Sequence, residues 1–165
     1  MEFLEKDLEE VIFNSDKGEL SQRGLYLECG KLFRQFRIGN YGIADLVHAY
    51  FEYDCVFNDE GDPIGYRKSK LYINVIELKK DKIGISAFLQ AVNYLKGIKR
   101  YFEKKNYSMD VDYKITLIGK SIDTSGSFCY LPDVMDCLEL YVYRYDFDGV
   151  YFDEQRKYKL TDEGF

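Results

Sequence analysis

The sequence predicts an α/β domain in which helices flank one mixed β-sheet. Three observations support this fold class. Helical periodicity appears near the start and in the middle of the chain, strand-type patterns occupy the other regular segments, and no repeat or linker divides the 165 residues. Because one hydrophobic core typically serves on the order of 100–200 residues, we expect residues 1–165 to form a single domain.

The first elements are predicted to be a helix followed by a β-hairpin. Residues 2–13 place apolar side chains at helical spacing, which indicates an amphipathic helix. Residues 19–31 favour neither helix nor strand. A strand at 32–38 and a second strand at 43–54, rich in β-branched and aromatic residues, are joined by the glycine-containing turn at 39–42.

The middle of the chain is predicted to contain a third strand and a long helix. Residues 55–70 are polar and indicate a turn or a short excursion. The third strand covers residues 71–78. The helix at 86–104 carries one continuous apolar stripe and is long enough to cover a face of the sheet.

The last part of the chain returns to a strand pattern. A strand is predicted at 111–118, followed by a glycine- and serine-containing loop at 121–127. Strands at 138–147 and 150–158 are joined by Asp148-Gly149, a strong signal for a two-residue hairpin turn.

Composition excludes several classes of protein. Hydrophobic residues make up 46% of the chain and aromatic residues 17%, which excludes a disordered or low-complexity chain. No apolar run approaches the roughly 20 residues that a membrane helix needs, and the N-terminal residues lack the basic and apolar regions of a signal peptide. We therefore expect a cytoplasmic protein with no membrane partner.

Cysteine and histidine content narrows the chemistry. Cys29, Cys55, Cys129 and Cys137 form no Cys-x-x-Cys pair, so we expect reduced packing residues and no structural zinc site. The single histidine, His48, excludes hydrolases that need several imidazoles. Hydrolytic chemistry in this chain must therefore depend on carboxylates and lysines.

Two acids and a lysine are predicted to meet at the end of the third strand. Glu77 and Lys79 are two residues apart, so their side chains project from the same face of the sheet. Asp45 lies near the start of the second strand, where a sheet interior would favour an apolar residue. If these strands are neighbours, Asp45 and Glu77 supply the hard anionic oxygens that suit Mg²⁺, and Lys79 can orient a metal-bound water.

The two predicted helices offer further candidates. Glu9 borders the apolar stripe of the first helix, so it is better placed than Glu10 to reach inward. Gln90 and Tyr94 are four residues apart on the second long helix and therefore stack on one face. Such a face can present an amide and a phenol to the same site.

Three segments of the chain resemble the PD-(D/E)xK nuclease superfamily, whose fold is called restriction-endonuclease-like. These are Gly42-Ile-Ala-Asp-Leu46, Val75-Ile-Glu-Leu-Lys79 and Gln90-Ala-Val-Asn-Tyr94, preceded by a helix that carries Glu9. The resemblance covers residues 2–105. Ala44 stands where the family's name has proline, a replacement that is common within the superfamily.

The resemblance implies a role for each matching residue. Asp45 and Glu77 would bind the metal, and Lys79 would act at the attacking water. Glu9, Gln90 and Tyr94 would assist them. The implied activity is hydrolysis of nucleic-acid phosphodiester bonds, DNA being the favoured substrate and RNA remaining open, with Mg²⁺ as the cofactor and Mn²⁺ as a substitute.

Nucleic-acid binding would need a local basic surface, because the net charge of the chain is −6. Arg34, Arg37 and Lys80 lie close in sequence to the candidate site and are the predicted phosphate contacts. The alternative is a catalytically inactive nuclease-fold module that binds a protein partner or DNA. A homodimer also stays open.

Simpler interpretations stay open for the same residues. Glu77 and Lys79 could form an ion pair at a solvated strand end, worth at most about 1 kcal/mol. Asp45 could cap the preceding turn. His48, three residues after Asp45, falls on the opposite face of a regular strand, so we interpret it as structural. The helical candidates Glu9, Gln90 and Tyr94 could serve packing or solvation alone.

Overall fold

A curled, mixed β-sheet of six strands with helices on both faces forms the centre of the structure, a computed structural model that describes residues 2–155. The helices are α1 (Glu5–Asn14), α2 (Lys17–Gln22), α3 (Ile85–Lys104) and α4 (Leu131–Val134), with single 3-10 turns at Gly39–Tyr41 and Phe128–Tyr130. The strands are β1 (Gly30–Arg37), β2 (Ile43–Phe57), β3 (Pro63–Leu78), β4 (Lys82–Ile83), β5 (Asp110–Gly119), β6 (Ser121–Ile122), β7 (Leu138–Asp146) and β8 (Gly149–Glu154). The predicted class, an α/β domain with one mixed sheet flanked by helices, is confirmed at this level.

The strand order explains how the sheet becomes mixed. The strands follow one another in the order β1, β2, β3, β5, β7 and β8. The first three form an antiparallel meander, whereas β3, β5 and β7 are parallel and β8 returns antiparallel to β7. A parallel pair needs a crossover connection, and α3 supplies it between β3 and β5. The short strands β4 and β6 pair separately.

The hydrophobic core has two parts, one on each face of the sheet, and successive residues of a strand contribute to them in turn. On β3, Ile73 and Val75 pack with α3, whereas Ile76 and Leu78 pack with α1 and α2. Because the side-chain period of a strand is two, every odd-numbered position of this end of β3 faces α3. That parity decides which polar side chains share a face with the long helix.

The polar stretch at 55–70 contains the predicted turn, but the strands on either side of it are longer than predicted. β2 continues to Phe57 and β3 begins at Pro63, so only the intervening turn is irregular, and it is closed by Asn58, whose side-chain oxygen accepts from the backbone of Glu60 and Asp62. Residues 57 and 59–68 of this hairpin are exposed, and Tyr66 is 78% exposed. Both faces of the hairpin meet solvent, so the alternation of apolar and polar residues that marks a half-buried strand is missing.

Smaller differences concern element boundaries. The first helix begins at Glu5 rather than at residue 2, and the unassigned stretch at 19–31 contains the end of α2. Part of the predicted loop at 121–127 forms β6. The predicted terminal hairpin is confirmed, but its two-residue turn is Phe147-Asp148 rather than Asp148-Gly149, because Gly149 already pairs with Asp146 as the first residue of β8. The predicted strand residues 156–158 lie outside the described residues.

The remaining structural expectations concern thiols and membranes. All four cysteines are free thiols, but Cys29 is exposed, so the prediction that it is a packing residue was wrong. Between residues 2 and 155, no helix has the length and apolar character that crossing a bilayer requires.

Gly97 allows α3 to approach the 3-10 turn before β2. A Cβ atom at this position would lie 2.6 Å from Cγ2 of Ile38 and 2.6 Å from Cδ2 of Tyr41. Alanine normally stabilises a helix interior by about 1 kcal/mol relative to glycine. We expect Gly97→Ala to do the opposite and lower the free energy of unfolding by about 1–3 kcal/mol, because the core must shift to admit the methyl group.

Urea unfolding measures this effect, and Lys96→Ala is the matched control because Lys96 is exposed on the same helix. The control should change the free energy of unfolding by less than about 0.5 kcal/mol. A Gly97→Ala protein that is as stable as the unchanged protein would contradict the close approach.

His48 lies on the opposite face of β2 from Asp45, as predicted. Its ring is 1% exposed, and its Nε2 has no hydrogen-bond partner among the described residues. Burial lowers the pKa of His48 to about 4, with a contribution from the positive charge of Lys17, while a hydrogen bond with the Glu28 backbone opposes the shift. The imidazole is therefore neutral at physiological pH.

Neutral burial of His48 makes stability sensitive to acid. Between pH 6.5 and about 4 the unfolded chain binds a proton that the folded protein does not, so stability falls as pH falls through this window. We expect a loss of about 3 kcal/mol relative to His48→Gln, which cannot titrate there. Because the chain has one histidine, NMR titration reads its pKa without assignment. Parallel stability profiles for the two proteins would contradict this expectation.

Candidate functional site

Asp45 and Glu77 occupy adjoining positions on neighbouring strands. The antiparallel pairing of β2 and β3 ends at Leu46 and Ile76, so Asp45 and Glu77 are the next residues of the two strands. Both positions have the parity of Val75, so both face the α3 side of the sheet. Asp45 lies close enough to Glu77 for its negative charge to add to the effect of burial in raising the pKa of Glu77. The structure therefore brings the two predicted carboxylates together.

Glu77 is more deeply buried than Asp45. It is 2% exposed, and its Oε1 accepts a hydrogen bond from Nζ of Lys79 at 3.2 Å. Its other oxygen, Oε2, is buried and has no hydrogen-bond partner within residues 2–155. Burial raises the pKa of Glu77 to about 7, and the negative charge of Asp45 adds to the increase. At neutral pH the group is therefore balanced between its acid and its carboxylate.

Asp45 is held by the backbone of β3. Its Oδ2 accepts a hydrogen bond from the backbone N–H of Leu78 at 2.9 Å. Burial raises the pKa of Asp45, whereas this hydrogen bond and the charge of Lys79 lower it, and burial outweighs them. The Leu78 bond leaves the other carboxylate oxygen, Oδ1, for a ligand.

Lys79 follows the last residue of β3 and is a cation. Burial lowers the pKa of Lys79, but the charge and hydrogen bond of Glu77 outweigh burial, so the net pKa is raised. Its Nζ also donates to Oε1 of Gln90 at 3.4 Å. At neutral pH the ammonium can therefore donate hydrogen bonds or stabilise negative charge, but it holds no lone pair with which to accept a proton.

Gln90 and Tyr94 connect α3 to this cluster. Nε2 of Gln90 donates to the hydroxyl of Tyr94 at 2.7 Å, which leaves its carbonyl oxygen for Lys79. Tyr94 is 5% exposed, and a Cβ at Gly42 would lie 2.9 Å from its ring. The predicted four-residue spacing therefore places Tyr94 and Gln90 in a chain of hydrogen bonds that ends at Lys79.

Glu9 turns inward from α1, as the helical pattern predicted, and binds to β1. It is 5% exposed, and its two oxygens accept from Nε of Arg34 and, at 2.6 Å, from Nε2 of Gln35. Its charge raises the pKa of Asp45, so it belongs to the electrostatic surroundings of the site. Both Glu9 oxygens therefore accept hydrogen bonds from β1 and do not bind at the Asp45–Glu77 pair.

Glu5 is a member of these surroundings that sequence reasoning missed. Its Oε1 accepts a hydrogen bond from the backbone N–H of Lys80 at 3.2 Å, and its charge raises the pKa of both Asp45 and Glu77. A signal was available, because Glu5 precedes Glu9 by four residues and so lies one turn earlier on the same helical face. Gln35, by contrast, reaches Glu9 from a residue with φ of 48°, an irregularity that no sequence pattern indicates.

The three predicted phosphate contacts have different surroundings. Arg34 pairs with Glu9 and, at 3.7 Å, with Glu10. Lys80 pairs with Glu2. Arg37 is exposed at the end of β1 and has no carboxylate partner in the described part of the chain.

The donor set can be compared with the needs of a metal ion. Residues 2–155 contain no cluster of three or more Asp, Glu, His or Cys side chains arranged as ligands. The two carboxylates of Asp45 and Glu77 nevertheless fit Mg²⁺, which commonly takes one or two carboxylates and completes its shell with water and substrate phosphate. The unpartnered Oε2 of Glu77 is the donor that such an ion would satisfy.

Comparison with known proteins identifies no relative of this chain. No protein-family model, curated protein or solved structure matches it.

Proposed function

We propose that the protein is a Mg²⁺-dependent nuclease of the PD-(D/E)xK type that hydrolyses phosphodiester bonds, with DNA as the favoured substrate. One observation carries the proposal. Asp45 and Glu77 lie next to each other at the adjoining ends of β2 and β3, Lys79 is hydrogen-bonded to Glu77, and one buried Glu77 oxygen has no hydrogen-bond partner among residues 2–155.

The energetic cost of this arrangement supports a functional interpretation. Like charges directly opposite on a sheet destabilise it, and a buried polar atom without a partner costs about 1–3 kcal/mol. An ion pair between Glu77 and Lys79 alone would explain neither the neighbouring Asp45 nor the free Oε2. A divalent cation between the carboxylates would offset both costs, because it supplies positive charge where two anions meet.

The order of elements is consistent with the same proposal. The three segments that resemble the superfamily lie at the start of β2, at the end of β3 and on α3. These elements converge at one end of the sheet, where the resemblance needs its carboxylates, lysine and glutamine to meet. We therefore extend the proposal to a restriction-endonuclease-like fold.

Each side chain would have a definite task. Asp45 and Glu77 would hold Mg²⁺, or Mn²⁺ in its place, and the bound ion would supply an activated water and offset charge on the phosphoryl oxygen. Lys79, as a cation, would orient the attacking water and stabilise the developing negative charge. Gln90 and Tyr94 would position Lys79, and Glu9 would hold β1 beside Asp45.

A catalytically inactive nuclease-fold module is the second candidate. One observation favours it: both oxygens of Glu9 already accept hydrogen bonds from β1, so Glu9 does not add a third carboxylate to Asp45 and Glu77. Such a module would bind DNA or a protein partner without cleaving a substrate. It shares the fold of the first candidate and differs in the chemistry at Glu77.

A substrate panel tests the proposal. The full chain is incubated with single-stranded, double-stranded and branched DNA and with RNA, in Mg²⁺, in Mn²⁺ and in EDTA. We expect cleavage of at least one DNA substrate that needs metal and stops in EDTA. A preparation that cleaves none of them, and that binds neither metal by calorimetry, would overturn the proposal. Metal binding without cleavage of any substrate would favour the inactive module.

A further inference from the structure

A large groove lies on the same face of the sheet as the candidate site. It has a volume of about 1200 Å³ and lies between β1, β2, β3 and the C-terminal half of α3. None of its lining residues is Asp45, Glu77 or Lys79. It nevertheless adjoins that site, because Val47 and Ala49 line it and follow Asp45 on the same face of β2.

Aromatic side chains form much of the groove surface. Phe33 and Phe36 come from β1, Phe51 and Tyr53 from β2, and Tyr101 from α3. Phe36 is 36%, Tyr53 54% and Tyr101 57% exposed, so flat ring surface is accessible from solvent. Large exposed rings within one concavity are typical of a binding surface rather than of ordinary packing.

The charges around the groove are of one sign. Among the residues that the structure describes, five cations and no carboxylate line it, although acidic residues outnumber basic ones in the chain by 29 to 23. The cations are Lys31, Arg37, Lys68, Arg100 and Lys104. Within residues 2–155 none of the five forms an ion pair with a carboxylate, and all are exposed. The groove is therefore a local positive surface on an acidic protein.

Cations and rings are also interleaved. Nζ of Lys31 lies 5.0 Å from the ring centre of Phe33, and Nζ of Lys68 lies 4.1 Å from that of Phe51. A ligand that follows the groove would meet a positive charge beside each of these aromatic surfaces. Single-stranded nucleic acid needs this combination, because its phosphates bind cations while its unstacked bases lie on rings.

We propose that the groove binds single-stranded nucleic acid. Bases stack on its aromatic side chains and phosphates contact its five cations. This inference deepens the proposed function, on which it rests only for the further step that the bound strand leads into the Asp45–Glu77 site. Binding itself needs neither metal nor cleavage.

The spacing of the cations favours an extended polyanion. Lys31 and Arg37 are six residues apart on β1, which corresponds to on the order of 20 Å along a strand. A ligand with one anionic group, such as an amphiphile, would need one cluster of cations rather than a row. The exposed rings favour a single strand over a duplex, because bases stacked inside a duplex offer no face to Tyr53 or Tyr101.

Fluorescence anisotropy of the full chain in EDTA tests this inference, because EDTA prevents metal-dependent cleavage. The probes are a fluorescein-labelled 12-nucleotide oligo(dT) and a blunt 12-base-pair DNA duplex. We expect the single strand to bind at least about tenfold more tightly and to weaken steeply with added salt. Tyr53→Ala and Tyr101→Ala should each weaken oligo(dT) binding on the order of tenfold, the range for loss of one stacked base.

Matched variants separate stacking from charge. Arg37→Ala should weaken binding. It should also reduce, by about one, the slope of the logarithm of the binding constant against the logarithm of the salt concentration. Tyr66→Ala, which removes an exposed ring outside the groove, should leave binding unchanged. Tyr53 and Tyr101 are more than half exposed, so their variants should fold, and circular dichroism verifies this.

The outcomes are separable from those of the cleavage assay. Oligo(dT) binding that depends on Tyr53 and Tyr101 supports the groove even if the unchanged protein cleaves nothing. Equal affinity for the duplex, or affinity that neither tyrosine variant changes, would overturn the inference. Failure of oligo(dT) to bind in low salt would also overturn it. If an amphipathic helical peptide then bound the unchanged protein but not Tyr53→Ala, the groove would be assigned to a protein partner.

Discussion

Asp45→Asn and Lys79→Ala are expected to remove metal-dependent cleavage while the protein stays folded. Asp45→Asn replaces a charged metal ligand by a neutral amide. Lys79→Ala removes the cation that contacts Glu77 at 3.2 Å and Gln90 at 3.4 Å. We expect each change to lower kcat by at least on the order of 10²-fold, the effect of losing one preorganised electrostatic contact in the transition state.

Controls of the same chemistry lie close by. Asp54→Asn changes an exposed acid on the same strand as Asp45, and Lys82→Ala changes an exposed lysine shortly after Lys79. Both controls should keep the cleavage rate of the unchanged protein. Cleavage that survives in folded Asp45→Asn or Lys79→Ala would show that the reaction does not use this site.

Glu77→Gln is expected to stabilise the metal-free protein at pH 8 while it removes cleavage. The pKa of Glu77 rises from 4.5 to about 7 on folding, so between these values the folded protein holds a proton that the unfolded chain has released. The contribution of Glu77 to the free energy of unfolding is therefore fully present below pH 4.5 and is lost as pH rises through about 7. The loss amounts to about 3 kcal/mol, and glutamine, which stays neutral, should avoid much of it.

Urea unfolding in EDTA between pH 4.5 and 8 measures this difference. Glu60→Gln is the control, because Glu60 is exposed on the β2–β3 turn and its removal should leave the slope unchanged. Adding Mg²⁺ at pH 8 should stabilise the unchanged protein by mass action but not Glu77→Gln. Profiles of the unchanged protein and Glu77→Gln that run in parallel across this range would contradict a pKa shift at Glu77.

Part of the candidate site followed from local periodicity. The two-residue spacing of Glu77 and Lys79 placed them on one face, and the structure shows them bonded to each other. The four-residue spacing of Gln90 and Tyr94 did the same on α3. These relations depend on the geometry of one strand or one helix, which a single segment of sequence carries.

Other parts required information that no single segment carries. Residues 55–57 and 63–70 were not predicted as strand because most of them are exposed on both faces, which removes the alternation that marks a half-buried strand. The engagement of Glu9 depends on the irregular backbone of Gln35. The groove joins residues of β1, β2, β3 and α3 and has no signature in any of them.

The fold class, the charge of the chain and the face on which each candidate side chain lies could be read from the amino-acid sequence, because these properties follow from composition and from the periods of strand and helix. Long-range packing brings Asp45 next to Glu77. Within residues 2–155 it also buries one Glu77 oxygen without a hydrogen-bond partner and places cations that form no ion pair around an aromatic groove. Strand order, register and burial arise from contacts between distant segments, and such contacts leave no local pattern.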